Sequence, residues 1–285
     1  FDKKHDRVLL IPDDKIITKE KLELLKKVYT HILVRKFVEW PKGTHERDPR
    51  DKHMWFKLNA WTVTGYKKLY WTGTDVMFLK DPSIIFSWPA PASSIDYHVW
   101  GVSRYGIVTN GDCFLLKPNL TDYAGLVLLG ANKTRHPDLK AKDPEFRDES
   151  WTGPFDNGLM IEYFRGGITV LPLWFQYELP GAADCLYKNW WDLKVDDRVL
   201  SLHFPVGFKP WKRYLHEFTD TWTRKATEAC KYLGFKLDLK RYGLTKPTYG
   251  DLEDVMCENC RKMESNPAFS KNAISQFTSD TKLLQ

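Results

Sequence analysis

Cysteine is scarce in this chain, with five in 285 residues, at positions 113, 185, 230, 257 and 260. So sparse and odd a set excludes a small disulfide-scaffolded domain. Only Cys257 and Cys260 lie close in sequence. One such pair is half a zinc site, and a disulfide or plain thiols are the competing readings. No apolar run approaches the roughly 18 residues that a membrane-spanning helix needs. The opening residues, Phe1 to Asp6, fit neither a signal nor a transit peptide. Runs of five or six like charges are also missing, and 43 Lys+Arg against 37 Asp+Glu leave a formal charge of +6. That balance gives nucleic-acid binding no support, while a basic cleft for a small anion stays open. There is no internal repeat and no low-complexity tract.

Aromatic residues, by contrast, are abundant: 12 Trp, 13 Tyr and 16 Phe. They imply either a Trp-rich core or flat apolar faces lining a site for a planar or sugar-like ligand. Trp151, Trp174, Trp190 and Trp191 are the candidates for such a platform. With 42% hydrophobic and 28% charged residues, the composition is that of a folded protein. Chains of this length bury roughly three-quarters of their extended surface. Two sequons, Asn119-Leu120-Thr121 and Asn132-Lys133-Thr134, hint at a Golgi or secretory lumen, with a cytoplasmic location as the alternative.

Residues 7–12 form a short apolar run and read as a buried strand. Thr18 is the N-cap of a helix carrying Leu22, Leu25, Val28 and Tyr29, and residues 31–37 are a second strand. A polar loop fills 39–53, a helix is expected over 54–66, and a strand over 67–72 ends at Gly73-Thr74-Asp75. Alternating strands and helices predict an α/β fold with a mainly parallel sheet. Further strands are expected at 97–103, 112–116, 168–172 and 198–204, and helices at 121–131, 155–165 and 219–233. The expected division is a domain over 1–215 and a helical or irregular extension over 216–285.

In an open α/β sheet, ligands bind beyond the carboxyl ends of strands. Asp75 and His203 sit at two such ends. A carboxylate and an imidazole can share a divalent cation and leave positions open for phosphate oxygens. Lys57 and Lys209 could then neutralise a diphosphate.

Five stretches, in order, resemble the glycogenin-like glycosyltransferases of family 8. In the first, from Lys57 to Pro82, Lys57-Leu58-Asn59-Ala60-Trp61 is similar to that family's "KLxxW" helix, and Gly73-Thr74-Asp75 stands where it has an Asp-x-Asp metal motif. The stretch Thr109 to Pro118 resembles its "FNSGVFVLKP" strand, and Asp156-Asn157-Gly158-Leu159 its "DQGL" helix start. Leu171 to Gln176 is similar to "LPxxYN", and the segment from His203-Phe204 to Lys209-Pro210-Trp211 to "HFxGxxKPW". The resemblance implies a GT-A fold, a Rossmann-like nucleotide-sugar fold. It also implies retaining transfer of a sugar from a UDP-sugar to a glycan or protein acceptor. By the same resemblance Asp75 and His203 hold a manganese-like ion. Lys57, Gly73, Asn157 and Lys209 contact the donor, and Asp156 and Asn110 are catalytic.

Three departures from the family pattern stand out. Gly73 replaces the first metal Asp, which removes one ligand and one negative charge. Val206 stands where the family has glycine, with Gly207 one position later. The chain also opens at what resembles the family's second strand, so the central first strand has no counterpart before Phe1. Such a gap would strand backbone polar groups unless something fills it. Gly73 and the missing first strand support a second reading, a catalytically silent sugar- or protein-binding module. A homodimer is compatible with either.

Overall fold

In the computed structural model of the protein, the described residues are 4–15, 17–39, 52–95, 102–103, 106–107, 109–131, 155–165, 167–178, 199–204, 209–210 and 216–236. The chain forms two compact units, and it passes between them more than once. One unit comprises Phe1–Gly73, Asp81–Ser94 and Thr109–Leu171; the other comprises Thr74–Lys80, Ile95–Val108 and Pro172–Gln285.

The first unit begins with β1 (Val8–Pro12), α1 (Lys19–Val28) and β2 (His31–Arg35). β1 and β2 pair in parallel, with Val8 opposite His31. Thr18 caps α1 as expected, its Oγ1 accepting from Lys21 N at 3.3 Å. Glu20 in the first turn and Lys26 and Lys27 in the last complement the helix dipole.

The helix expected over 54–66 is instead one α-turn, α2 (Lys52–Trp55), followed by a 3₁₀ segment over Phe56–Thr62. Side chains there compete for the backbone. Asn59 Nδ2 donates to the Phe56 carbonyl at 3.1 Å, and Thr62 Oγ1 donates to the Asn59 carbonyl at 2.8 Å. Phe56 to Trp61 are all buried, so there is no apolar stripe of α-helical period to hold an α-helix.

β3 (Leu69–Thr72) ends this stretch, and β4 (Val76–Phe78) follows. Further along come β5 (Ala92–Ile95), β6 (Val102–Ser103), β7 (Gly106–Ile107) and β8 (Thr109–Leu116). The helices α3 (Leu120–Ala131) and α4 (Phe155–Phe164) precede β9 (Thr169–Val170). A four-stranded sheet has the order β3-β8-β5-β9, with β3 antiparallel to β8 and β5 parallel to β9. Among the described residues the sheets are therefore mixed and not mainly parallel. β8 is buried on both faces, which is why its second half reads as a continuous apolar run. Phe114 and Leu116 pack with Leu58, Trp61, Leu126, Leu159 and Met160 into the core of this unit.

Leu10 of β1 and Leu69 and Trp71 of β3 pack against that same core. Between the two strands lies a cavity of about 520 Å3, lined by Val8, Leu10, Ala60, Leu69, Trp71 and Phe86. Among the described residues no strand bridges β1 and β3.

In the second unit, β11 (Ser201–His203) lies between β10 (Tyr177–Glu178), parallel to it, and β4, antiparallel to it. β6 and β7 pair as an antiparallel hairpin. The strand expected over 198–204 is thus shorter than its apolar run, and β10 was not expected at all. The helix α5 (His216–Leu233) ends at Gly234, whose φ of 85° is the left-handed turn that glycine adopts at low cost. Among the described residues no helix is long and apolar enough to cross a membrane.

Candidate functional site

Each unit carries its own cluster of charged side chains. In the first, the 3₁₀ segment delivers Lys57 into the interior, where its side chain is 10% exposed. Its Nζ lies 2.7 Å from Asp156 Oδ2 and 3.0 Å from Asp112 Oδ1, and donates to the Gly111 carbonyl at 3.3 Å. Asp156 comes from the first turn of α4, and Asp112 from β8. Burial alone would push the Lys57 ammonium toward losing its proton, but the Asp112 and Asp156 carboxylates outweigh it and raise its pKa. Asp156 moves up from the ordinary carboxylate range. Burial is the main cause, the neighbouring Asp112 charge adds to it, and Lys57 partly offsets it.

Asn110 and Asn157 join this cluster through backbone contacts. Asn110 Oδ1 accepts from Asp112 N at 2.8 Å, and Asn157 Oδ1 accepts from Gly111 N at 2.6 Å. Gly73 continues the β3–β8 ladder, its N–H donating to the Asp112 carbonyl at 3.0 Å. Sequence reasoning gave no role to Gly111 or Asp112. A Cβ on Gly111 would meet Asp156 Oδ2 at 2.0 Å and Asn157 Oδ1 at 2.4 Å. The glycine is what lets both side chains close on the strand.

In the second unit, Asp75 sits just ahead of β4 and His203 ends β11. The Phe204 N–H donates to the Asp75 carbonyl at 3.0 Å and ties the two segments together. His203 Nε2 is 3.7 Å from Asp75 Oδ2, and His203 Nδ1 is 3.5 Å from Glu178 Oε1. Lys209 Nζ contacts Asp75 Oδ2 and donates to the Phe204 carbonyl at 2.5 Å. Asp75 and His203, expected together, are thus brought together, and Lys209 with them. Glu178 went unnoticed because no motif covers it and a glutamate in a strand reads as a solvent-facing residue.

The pair Asp75 and His203 suits a cation. Two ligand atoms 3.7 Å apart can share one ion about 2.1 Å from each, and carboxylate with imidazole is a donor set that manganese-like ions accept. Of the four tryptophans proposed as a platform, Trp174 is half-buried and its carbonyl accepts from Leu200 N at 2.9 Å. Trp151, Trp190 and Trp191 lie outside the described residues, as do Val206, Gly207 and the Cys257/Cys260 pair. The Asn119 sequon has a structural duty. Asn119 Oδ1 accepts from Asp122 N at 2.7 Å at the start of α3, and Nδ2 donates to Asp122 Oδ2 at 2.6 Å.

The arrangement of sheets and helices matches the GT-A glycosyltransferase fold. The structure matches the galactosyltransferase LgtC, solved with donor and acceptor sugar analogues, with a TM-score of 0.52 and 13% identity over 84% of this chain and 100% of that one. It matches the bifunctional glycosyltransferase WbbM with a TM-score of 0.54 and 12% identity, over 85% of this chain and 52% of that one. The glycosyltransferase GlyE of Streptococcus pneumoniae TIGR4 aligns with a TM-score of 0.51 and 13% identity, over 86% of this chain and 58% of that one. In sequence, the chain is 24% identical to glycogenin of Neurospora crassa over 207 residues, which is 72% of this chain and 26% of glycogenin. It is 26% identical over 224 residues to the uncharacterized protein R707 of Acanthamoeba polyphaga mimivirus, over 74% of this chain and 73% of R707. No family model matches. The resemblance to the glycogenin-like transferases and their GT-A fold, first drawn from five short motifs, therefore holds.

Proposed function

We propose that the protein is a retaining glycosyltransferase that moves a sugar from a UDP-sugar donor to a glycan or protein acceptor. The observation that carries this reading is the convergence of Asp75, His203 and Lys209 in one unit of a GT-A fold. In this reading Asp75 and His203 hold a manganese-like ion, which when bound neutralises charge developing on the leaving diphosphate. Lys209 has its ammonium on Asp75 and is placed to donate to a phosphate oxygen that displaces it. Asp156 and Asn110 serve the sugar and acceptor side, with Asn157 and Gly73 toward the donor. Lys57 acts indirectly in this reading, by holding Asp156.

Calorimetric titration of UDP and UDP-sugars, with and without Mn2+, tests the reading on the wild type and a Gly73→Asp variant. Metal-dependent micromolar binding of UDP with turnover of a donor sugar is expected, strengthened in Gly73→Asp by the restored carboxylate. Absence of UDP binding in both folded proteins would sink it. Gly73, which offers no ligand beside Asp75, favours one second reading, a sugar- or protein-binding module without turnover. Sugar binding without donor hydrolysis is its signature.

A further inference from the structure

Beneath the Asp75–His203 pair lies a carboxylate that neither the motifs nor the fold assigns. We propose that Glu178 is a positioning residue that fixes the ring of His203 and its proton, so that Nε2 is presented toward Asp75 as a ligand for a divalent cation. The inference rests on the cation-binding reading of that pair.

The sheet builds the arrangement. In the parallel β10–β11 pair Glu178 and His203 are direct partners, which sets their side chains side by side. On the other flank of β11, His203 is opposite Val76 in β4, next to Asp75. The imidazole therefore stands between two carboxylates, one for each ring nitrogen: Glu178 Oε1 at 3.5 Å from Nδ1 and Asp75 Oδ2 at 3.7 Å from Nε2. Glu178 and His203 are both 3% exposed. A buried carboxylate is costly to keep, and a strand position is satisfied more cheaply by Val or Ile. Nothing in the pairing of a two-residue strand demands a glutamate.

What a glutamate supplies here is a tautomer. A neutral imidazole carries one proton, and whichever nitrogen lacks it is the ligand. Were Nε2 protonated, it would donate to Asp75 and engage both cation ligands with each other. Glu178 accepting the Nδ1 proton leaves the Nε2 lone pair on the side of Asp75. Outer carboxylates of this kind orient metal-binding histidines, and their loss weakens metal affinity by about 10- to 100-fold.

The test uses the full chain with Glu178→Gln, Glu178→Ala, Asp75→Ala and His203→Ala, without donor sugar. Mn2+ affinity is read by electron paramagnetic resonance. The protonated nitrogen of His203 is read by long-range 1H–15N correlation at alkaline pH without metal. The expected result is an Nδ1–H ring in the wild type that shifts to Nε2–H in Glu178→Ala. Mn2+ affinity should fall about tenfold or more in that variant, with a smaller loss in the near-isosteric Glu178→Gln. An Nε2–H ring in the wild type, or unchanged Mn2+ affinity in both Glu178 variants while Asp75→Ala and His203→Ala lose it, would overturn the proposal. If the wild type binds no Mn2+, the cation reading fails instead, and the tautomer alone decides whether Glu178 orients the ring.

Discussion

Two lysines carry the same expectation from the sequence and live in different physical settings. Lys57, in the first unit, has three oxygen partners and a side chain 10% exposed, and its partner Asp156 is 7% exposed. Lys209, in the second unit, shares one carboxylate and one carbonyl, at 17% exposure with Asp75 at 19%. The first ammonium neutralises buried charge that the chain itself put there. The second sits on a carboxylate that solvent and small ions can reach. Both can be written as phosphate contacts in a motif, yet only the second can leave its partner without stranding two buried charges. The contrast separates a lysine that holds a site together from one that can take part in its chemistry.

The largest expected effect breaks that contrast directly. Lys57→Met leaves Asp112 and Asp156 facing each other without a cation, a change that costs about 3–5 kcal/mol when a buried partner is removed. Lys209→Met should cost less, because its pair with Asp75, at 17% and 19% exposure, is more accessible to water than Lys57 and Asp156 at 10% and 7%. Urea denaturation of both variants checks this, and similar losses would erase the distinction. Next in size is Gly111→Ala, whose added methyl would fall 2.0 Å from Asp156 Oδ2. Forcing that carboxylate aside should cost about 1–3 kcal/mol. Under the proposed function it should also remove most of the transfer activity, read as turnover of the donor sugar.

Much of this was legible in the sequence because it is local. The strand over 8–12, the Thr18 cap and the helices α3 and α4 follow from apolar period and capping chemistry, which act within a few residues. Asp75, His203 and Lys209 were expected together because motif order stands in for distance. What escaped was set by contacts between distant segments. The 3₁₀ segment over Phe56–Thr62 is buried all round, so its period carries no signal. The roles of Asp112 and Gly111 depend on α4, whose Asn157 lies 46 residues beyond Gly111, and Glu178 gains meaning only from the β10–β11 register. The antiparallel pairing of β3 with β8 is likewise invisible to strand–helix alternation.

A third prediction sharpens the comparison from the side of the second lysine. In the proposed reading the Lys209 ammonium and a divalent cation compete for Asp75, so Lys209→Met should raise Mn2+ affinity. The same variant should weaken UDP binding about tenfold, or ~1.4 kcal/mol, through the lost phosphate contact. Opposite signs from one substitution are the diagnostic outcome, read by calorimetry with each ligand separately. A parallel fall in both would mean that Lys209 supports the fold of the pair and does not compete with the ion.

The smallest effect lies in the pH dependence of the first unit. Asp156 has its pKa raised, chiefly by burial, so the folded state binds its proton more tightly than the unfolded chain does. A group of this sign contributes stability that is fully present below the unfolded carboxylate pKa and is lost as pH rises through the folded one. Lys57 is also raised, above the ordinary lysine value, so its contribution persists through neutral pH and disappears only on the alkaline side. Asp156→Asn removes the first dependence and keeps Asp112 for Lys57. The stability of the wild type relative to Asp156→Asn should therefore be greatest in acid and shrink as pH rises toward neutrality, measured by denaturation at several pH values. A difference that grows over the same interval would mean that Lys57 outweighs burial and holds Asp156 below its ordinary value. The cluster would then be a conventional ion pair, and the physical contrast with Asp75 and Lys209 would narrow to exposure alone.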